Sequence, residues 1–234
     1  MGSRLLAAEG QVLFEKGTAA YVSGQFETAA ECLRQSAEAA PSSGAWHNLG
    51  NAEWQCQRTG SAILAWERAF WLDPFNANTR ANLRFARKAA QLEGPNLGWH
   101  EICSTWLPPN TWALIGAASF WLAVAMIILP GVFRWRRADW HQGLAAGGFA
   151  IFILILPALI GLHHRSQIGV IVTKDTSLRL TPTQEAQVLG KLPAGTMVRH
   201  ERRRGDYTYV RTASDAAGWI RNLDFGLICA SLED

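Results

Sequence analysis

The sequence predicts a multidomain chain in three parts: an all-α helical repeat, a two-helix transmembrane hairpin and an all-β barrel. Three observations predict it. Residues 112–133 and 143–162 contain no Asp, Glu, Lys, Arg or His. The segment before them is rich in Ala, Leu, Glu, Gln and Arg at helical spacing. The segment after them alternates Val, Ile, Leu, Thr and Tyr with polar residues between turn formers. The net charge of +3 is too small to point to nucleic acid. Cys32, Cys56, Cys103 and Cys229 are far apart, with no Cys-x-x-Cys pair and no histidine at ligand spacing, so neither a metal nor a cofactor is expected. They read as buried or free thiols, with a Cys32–Cys56 bridge left open for an extracytoplasmic chain.

The helical part covers residues 1–94. Shifting the sequence by 33 residues lays Gly17 on Gly50, Ala29 on Ala62, Leu33 on Trp66, Ser36 on Ala69 and Pro41 on Pro74. The spacing predicts pairs of antiparallel helices, with the glycine and alanine where the backbones cross and proline ending each pair. Trp46, Leu49, Trp66 and Leu72 fill the space beside the crossing. A third unit starts at "NANTRANLRFARKAAQLE" (76–93), where Asn82-Leu83 repeats Asn48-Leu49 at an offset of 34. Arg84 stands there where Gly50 stood, so this helix is expected to cap the stack with a polar outer face. A stack this short needs something to cover its edge.

The stretch "AWHNLGNAEWQCQRTGSAILAWERAFWLDPFN" (45–76) resembles the tetratricopeptide repeat (TPR) family, with residues 10–41 a looser match. Arg58 and Thr59 just before Gly60 depart from the family's turn, which places its glycine earlier. The resemblance implies a concave face made by the first helix of each pair. Its candidate peptide-binding residues are Gln11, Thr18, Tyr21, His47, Asn48, Asn51, Gln55 and Asn82. Amides and hydroxyls of this kind suit a peptide backbone. Asn48 and Asn51 serve equally well as bridges between neighbouring helices.

Residues 95–110, "PNLGWHEICSTWLPPN", form a linker next to the membrane, followed by the hairpin at 111–163. Each apolar run has about 20 residues, enough at about 1.5 Å per residue to cross a hydrocarbon core of about 30 Å. Trp99, Trp106, Trp112, Trp135 and Trp140 flank the runs, where indoles favour the headgroup layer; packing against the soluble part would account for them too. Pro157 is expected to kink the second helix, and Gly143-x-x-x-Gly147 with Ala146 and Gly148 to offer the first helix a smooth face. Neither run has an ionisable group, which favours an anchor over a transporter.

Residues 166–230 form the β part. "SLRLTPTQEAQVLGKLPAGTMV", then "GDYTYVR", then "GWI" resemble, in order, the bacterial SH3-like domains, with Tyr207 where tryptophan is common. The resemblance implies a small barrel that binds peptide or cell wall, with Tyr207, Tyr209 and Trp219 as the aromatic candidates; filling the core is the competing role. "RHERRRGDY" gathers positive charge on one hairpin, which a solvated tip explains as well as an anionic partner does.

The loop "RWRRADWHQ" carries Arg134, Arg136 and Arg137 against Asp139, so the positive-inside rule puts it in the cytoplasm and both soluble parts outside. "MGSRLLAAEGQVLFEKG" has no apolar run of signal-peptide length; either the natural start lies elsewhere or the orientation is reversed. In its order of parts the whole chain resembles the BatE-type aerotolerance-operon proteins. That resemblance implies a bacterial inner-membrane protein beside von Willebrand factor A-type membrane proteins and a MoxR-type ATPase. The expected function is a non-enzymatic scaffold or adaptor in an envelope-stress complex. The alternative is an accessory subunit of an envelope or peptidoglycan enzyme. Against the latter, no Cys-His or paired-carboxylate arrangement has interpretable spacing, and His163-His164 at the membrane exit reads as a solvated pair.

Overall fold

The computed structural model describes residues 2–94, 96–133 and 140–229, with side chains from residue 6. The chain forms two compact units, Met1–Asn96 with Arg165–Asp234, and Leu97–His164.

The first unit begins with helices α1 (Gly2–Val22), α2 (Phe26–Ala39), α3 (Ser43–Gln55), α4 (Thr59–Leu72) and α5 (Ala77–Ala89), each packed on the next. Local chemistry sets their ends. Ser42 accepts the Ala45 N–H at the start of α3, and Asn76 accepts the N–H groups of Asn78 and Thr79 at the start of α5. Helices α1, α3 and α5 all close on a left-handed residue: Gly24 (φ 75°), Gln57 (φ 61°) and Gln91 (φ 53°). Each donates to the carbonyl three residues back, and the next residue donates to the helix five residues back, as in Gln57 N–H to Trp54 and Arg58 N–H to Glu53. The turn before Gly60, where the sequence departs from the family's pattern, therefore keeps the geometry of the first, with glutamine in glycine's place.

Close approach explains the conserved spacing within the chain. A Cβ on Gly17 would come within 2.7 Å of the Leu33 side chain, and one on Gly50 within 2.5 Å of the Trp66 indole. Around these crossings Ala29, Ala30, Ala37, Ala45, Ala52, Ala65 and Ala69 form one core with Leu33, Trp46 and Leu49. Small residues bring the helix axes together, and the few large side chains fill what is left.

After residue 167 the chain is a seven-stranded antiparallel sheet: β1 (Ile168–Ile171), β2 (Thr176–Arg179), β3 (Val188–Leu192), β4 (Met197–Arg204), β5 (Tyr207–Thr212), β6 (Ala217–Arg221) and β7 (Phe225–Leu227). Its order is β3-β2-β6-β5-β4-β1-β7. The sheet is open: β3 and β7 are its edges among the described residues, so the closed barrel expected from the sequence is not formed. Ile171, Leu178, Val198, Val210 and Ile220 make its core.

This sheet packs on the helices of the same unit. A Cβ on Gly60 of α4 would lie 2.5 Å from the Val172 carbonyl oxygen, one on Gly195 2.6 Å from Ile63 and Leu92, and one on Gly226 2.4 Å from Leu64. Arg68 of α4 donates from Nε to the Leu227 carbonyl at 3.0 Å and lies over the Trp46 ring. The edge of the helical stack is thereby covered, and Ile63 has no exposure at all. Burying such a side chain stabilises by about 1.5–3 kcal/mol.

The second unit holds a short helix, α6 (Trp99–Ser104), and two long ones, α7 (Pro109–Val132) and α8 (Trp140–Ser166). Pro109 starts α7, where its missing N–H costs nothing. Trp112, Gly116, Ser119 and Ala123 form the buried face of α7. Ala145, Gly148, Ile155 and Ala158 are buried on α8. The remaining faces expose Leu114, Trp121, Ile127, Ile153, Leu154 and Ile160. Both helices are long and apolar enough to cross a membrane. Only part of the expected smooth face is in contact: Gly148 meets the Ser119 carbonyl and Ala123, whereas Gly143 and Gly147 face open space. Trp99, Trp106 and Trp140 are exposed, while Trp112 is buried and donates from Nε1 to the Ser104 carbonyl at 3.3 Å. Pro95, Trp135 and the charges Arg134, Arg136, Arg137 and Asp139 lie outside the described residues. Cys32 and Cys56 are not bridged to each other.

Candidate functional site

The structure separates the eight polar candidates into four groups. Gln11 and Thr18 satisfy themselves on α1: Gln11 donates to Glu15, and the Thr18 hydroxyl lies 3.0 Å from the Phe14 carbonyl and 2.9 Å from that of Glu15. Tyr21 packs on the core with its ring edge-on to Phe26. Asn48 is half-buried and Gln55 exposed on α3.

His47, Asn51 and Asn82 are brought together with α4 and α5. His47 Nδ1 shares a hydrogen bond of 2.9 Å with the hydroxyl of fully buried Thr79. Burial holds the imidazole below its ordinary pKa of 6.5. Asn51 Oδ1 accepts from Trp66 Nε1 at 3.1 Å and from Asn82 Nδ2 at 2.9 Å. An indole nitrogen can only donate, which fixes the orientation of both amides in turn. Asn51 Nδ2 and Asn82 Oδ1 are left without a partner among the described residues. One turn along the same helices, Trp54 and Phe85 meet edge to face at 5.6 Å, and Phe85 is 62% exposed. A donor, an acceptor and an apolar ring thus share the α3–α5 face. Sequence reasoning missed Trp54 and Phe85; each stands three residues after a selected asparagine, on the same helix face.

On the sheet, Tyr209 and Trp219 are cross-strand partners with ring centroids 5.2 Å apart. Tyr207 is buried at the end of β5 and takes the core role. Trp219 is also buried, and the Arg202 guanidinium lies 4.9 Å from the Tyr209 ring and 5.3 Å from that of Trp219. A cation from the chain itself therefore occupies this aromatic surface. Sequence reasoning saw Arg202 only as part of a charged hairpin, because an irregularity in the β4–β5 register between His200 and Arg202 decides its position.

Buried ion pairs form a further layer that the sequence did not show. Glu53, 2% exposed, is bound by Arg34 at 2.6 Å and Arg58 at 2.7 Å. Glu67 of α4 pairs with Arg87 of α5, whose guanidinium also reaches the Met197 sulfur of β4. Comparison of the chain with protein-family models gave no match, and comparison with curated proteins gave none either.

Proposed function

We propose that the chain is a membrane-anchored scaffold that holds an extended protein segment on the α3–α5 face. The observation that carries this reading is the oriented amide pair. Asn51 offers a donor and Asn82 an acceptor, the complement of one peptide unit, beside the exposed ring of Phe85. The recurrence of left-handed helix ends at Gly24, Gln57 and Gln91, spaced 33 and 34 residues apart, supports a tetratricopeptide-type stack. The open sheet is read as a variant of the bacterial SH3-like module whose outer strands serve to brace the helices.

Residues before and after the apolar helices share one compact unit, which agrees with two membrane crossings that leave both on the same side. With the Arg-rich loop in the cytoplasm, that unit lies in the periplasm of a bacterial inner membrane. A BatE-type role beside von Willebrand factor A-type membrane proteins and a MoxR-type ATPase follows from this reading. Reporter fusions after Asp234 and at Asp139 test the orientation. A pull-down in mild detergent tests the face: Asn51→Ala with Asn82→Ala should lose the partner, and unchanged recovery removes the face from the account.

A further inference from the structure

His100 and Glu101 lie on α6, and His164 lies near the end of α8, all within the second unit. One ligand atom from each lies within 4.8 Å of the other two. The two imidazoles meet edge to face with centroids 5.1 Å apart. Nε2 of His100 is shielded from solvent and has no hydrogen-bond partner among the described residues. A buried imidazole nitrogen of this kind is costly unless something binds it. Glu101 is 2% exposed and accepts the Gly98 N–H at 2.7 Å, so its carboxylate is already held in place.

The approach of the two helices is built into the backbone. A Cβ on Gly161 would come within 2.1 Å of the His100 carbonyl oxygen, so α6 lies directly against α8. His164 follows Gly161 by one helical turn, which puts its ring beside that of His100. Without a side chain at 161 the two histidines can meet; with one they would be pushed apart.

We infer that His100, Glu101 and His164 form a binding site for a divalent first-row transition ion, with Zn²⁺ its natural test. Two imidazoles and one carboxylate are a zinc-type donor set, and a fourth position is left for water or a partner's ligand. The hydrogen bond from Gly98 to Glu101 is the kind of outer contact that orients a ligating carboxylate. Such an ion would fasten α6 to the end of α8.

The test uses the full chain in detergent, stripped with chelator and dialysed against Zn²⁺, with bound metal counted per chain. Co²⁺ substitution gives a second readout through its visible ligand-field bands. The expected result is one ion per chain, with affinity falling more than about 100-fold in His100→Ala and in His164→Gln, since loss of an outer-shell contact alone costs about 10–100-fold. His164 is exposed, so its conservative variant keeps the test valid should His100→Ala fail to fold. His163→Ala should bind as the wild type does. Stoichiometric binding by the His100→Ala/His164→Gln double variant, no binding by the wild type at micromolar Zn²⁺, or an equal loss in His163→Ala would each overturn the assignment.

Discussion

In the first helix pair the Ser36 hydroxyl of α2 donates to the Gly10 carbonyl of α1 at 2.7 Å. In the second pair, at positions shifted by 33, the hydroxyl has moved to the other helix: Ser43 of α3 donates to the Ala69 carbonyl of α4 at 3.1 Å. The charges behave alike. Arg34 of α2 binds Glu53 of α3, whereas Glu67, the residue equivalent to Arg34, binds Arg87, the residue equivalent to Glu53 at an offset of 34. A hydroxyl bond thus joins the two helices within each pair and an ion pair joins each pair to the next helix, but which helix supplies which group has been exchanged. The backbone plan constrains the pair and leaves its polarity open. Glycine and alanine at the crossing are common to both, since steric exclusion has no such exchange available.

The two pairs differ in what surrounds their charges, and the largest expected effect breaks the comparison there. Arg87→Met strands the carboxylate of Glu67, itself 4% exposed, and should cost about 3–5 kcal/mol. Arg34→Met leaves Glu53 with Arg58 at 2.7 Å and should cost about 1 kcal/mol. Hydrogen exchange of the detergent-solubilised chain, read at α3 and α4, measures both. Equal losses would show that the second cation on Glu53 contributes nothing.

Of the two pairs, the second carries the sheet, which packs on α4. Gly60→Ala would drive a methyl onto the carbonyl oxygens of Val172 and Ile171, backbone atoms that cannot rotate aside. A cost of about 3 kcal/mol is expected, with loss of protection in β1 and α4 together. Glu27, equivalent to Gly60 in the first pair, is exposed, and Glu27→Ala should stay within about 0.5 kcal/mol. If Gly60→Ala is as mild as Glu27→Ala, the sheet does not bear on α4 in solution.

How much of this could be read beforehand depended on whether the cause was local. The crossing glycines were legible, because a missing side chain every 33 residues has a single mechanical use. The smooth face of α8 was legible only in part: Gly148 belonged to it, Gly143 and Gly147 did not. The spacing Gly143-x-x-x-Gly147 reports small residues, yet the contact falls on Gly148, where α7 presents Ser119 and Ala123. The close packing of Gly60, Gly195 and Gly226 was not legible, because their partners come from segments more than a hundred residues away in sequence. The site was legible in part for the same reason. Asn51 and Asn82 stand at repeat positions, but the direction of their amides follows from the Trp66 N–H, which only the folded chain brings to them.

A smaller effect comes from His47, whose equivalent in the first pair is the core-facing Phe14. Burial lowers its pKa below 6.5, so the folded state favours the neutral ring. Between the lowered value and 6.5 the unfolded chain binds more protons, and stability rises with pH. The contribution is complete above the ordinary value and is lost as pH falls below it. His200 shifts the same way through burial and the neighbouring Arg203 charge, so the difference between wild type and His47→Gln isolates the first. The variant should show a shallower loss of thermal stability on acidification; parallel curves would mean the His47 environment is equally open in both states.

The smallest effect sharpens the comparison at the turns. Gly24 and Gln57 hold the same left-handed conformation, with φ of 75° and 61°, and make the same pair of closing hydrogen bonds. A side chain in this region crowds the following carbonyl, at a cost of about 1 kcal/mol that glycine avoids. Gly24→Gln should therefore lose about 1 kcal/mol and Gln57→Gly gain a little less, because glycine also adds freedom to the unfolded chain. A Cβ at Gly24 meets nothing within 4 Å, so conformation alone is being measured there. Opposite signs in urea unfolding would establish that the turns are equivalent and that Gln57 is tolerated at a cost. A loss in Gln57→Gly would instead mean that the glutamine side chain makes a compensating contact that Gly24 never needed.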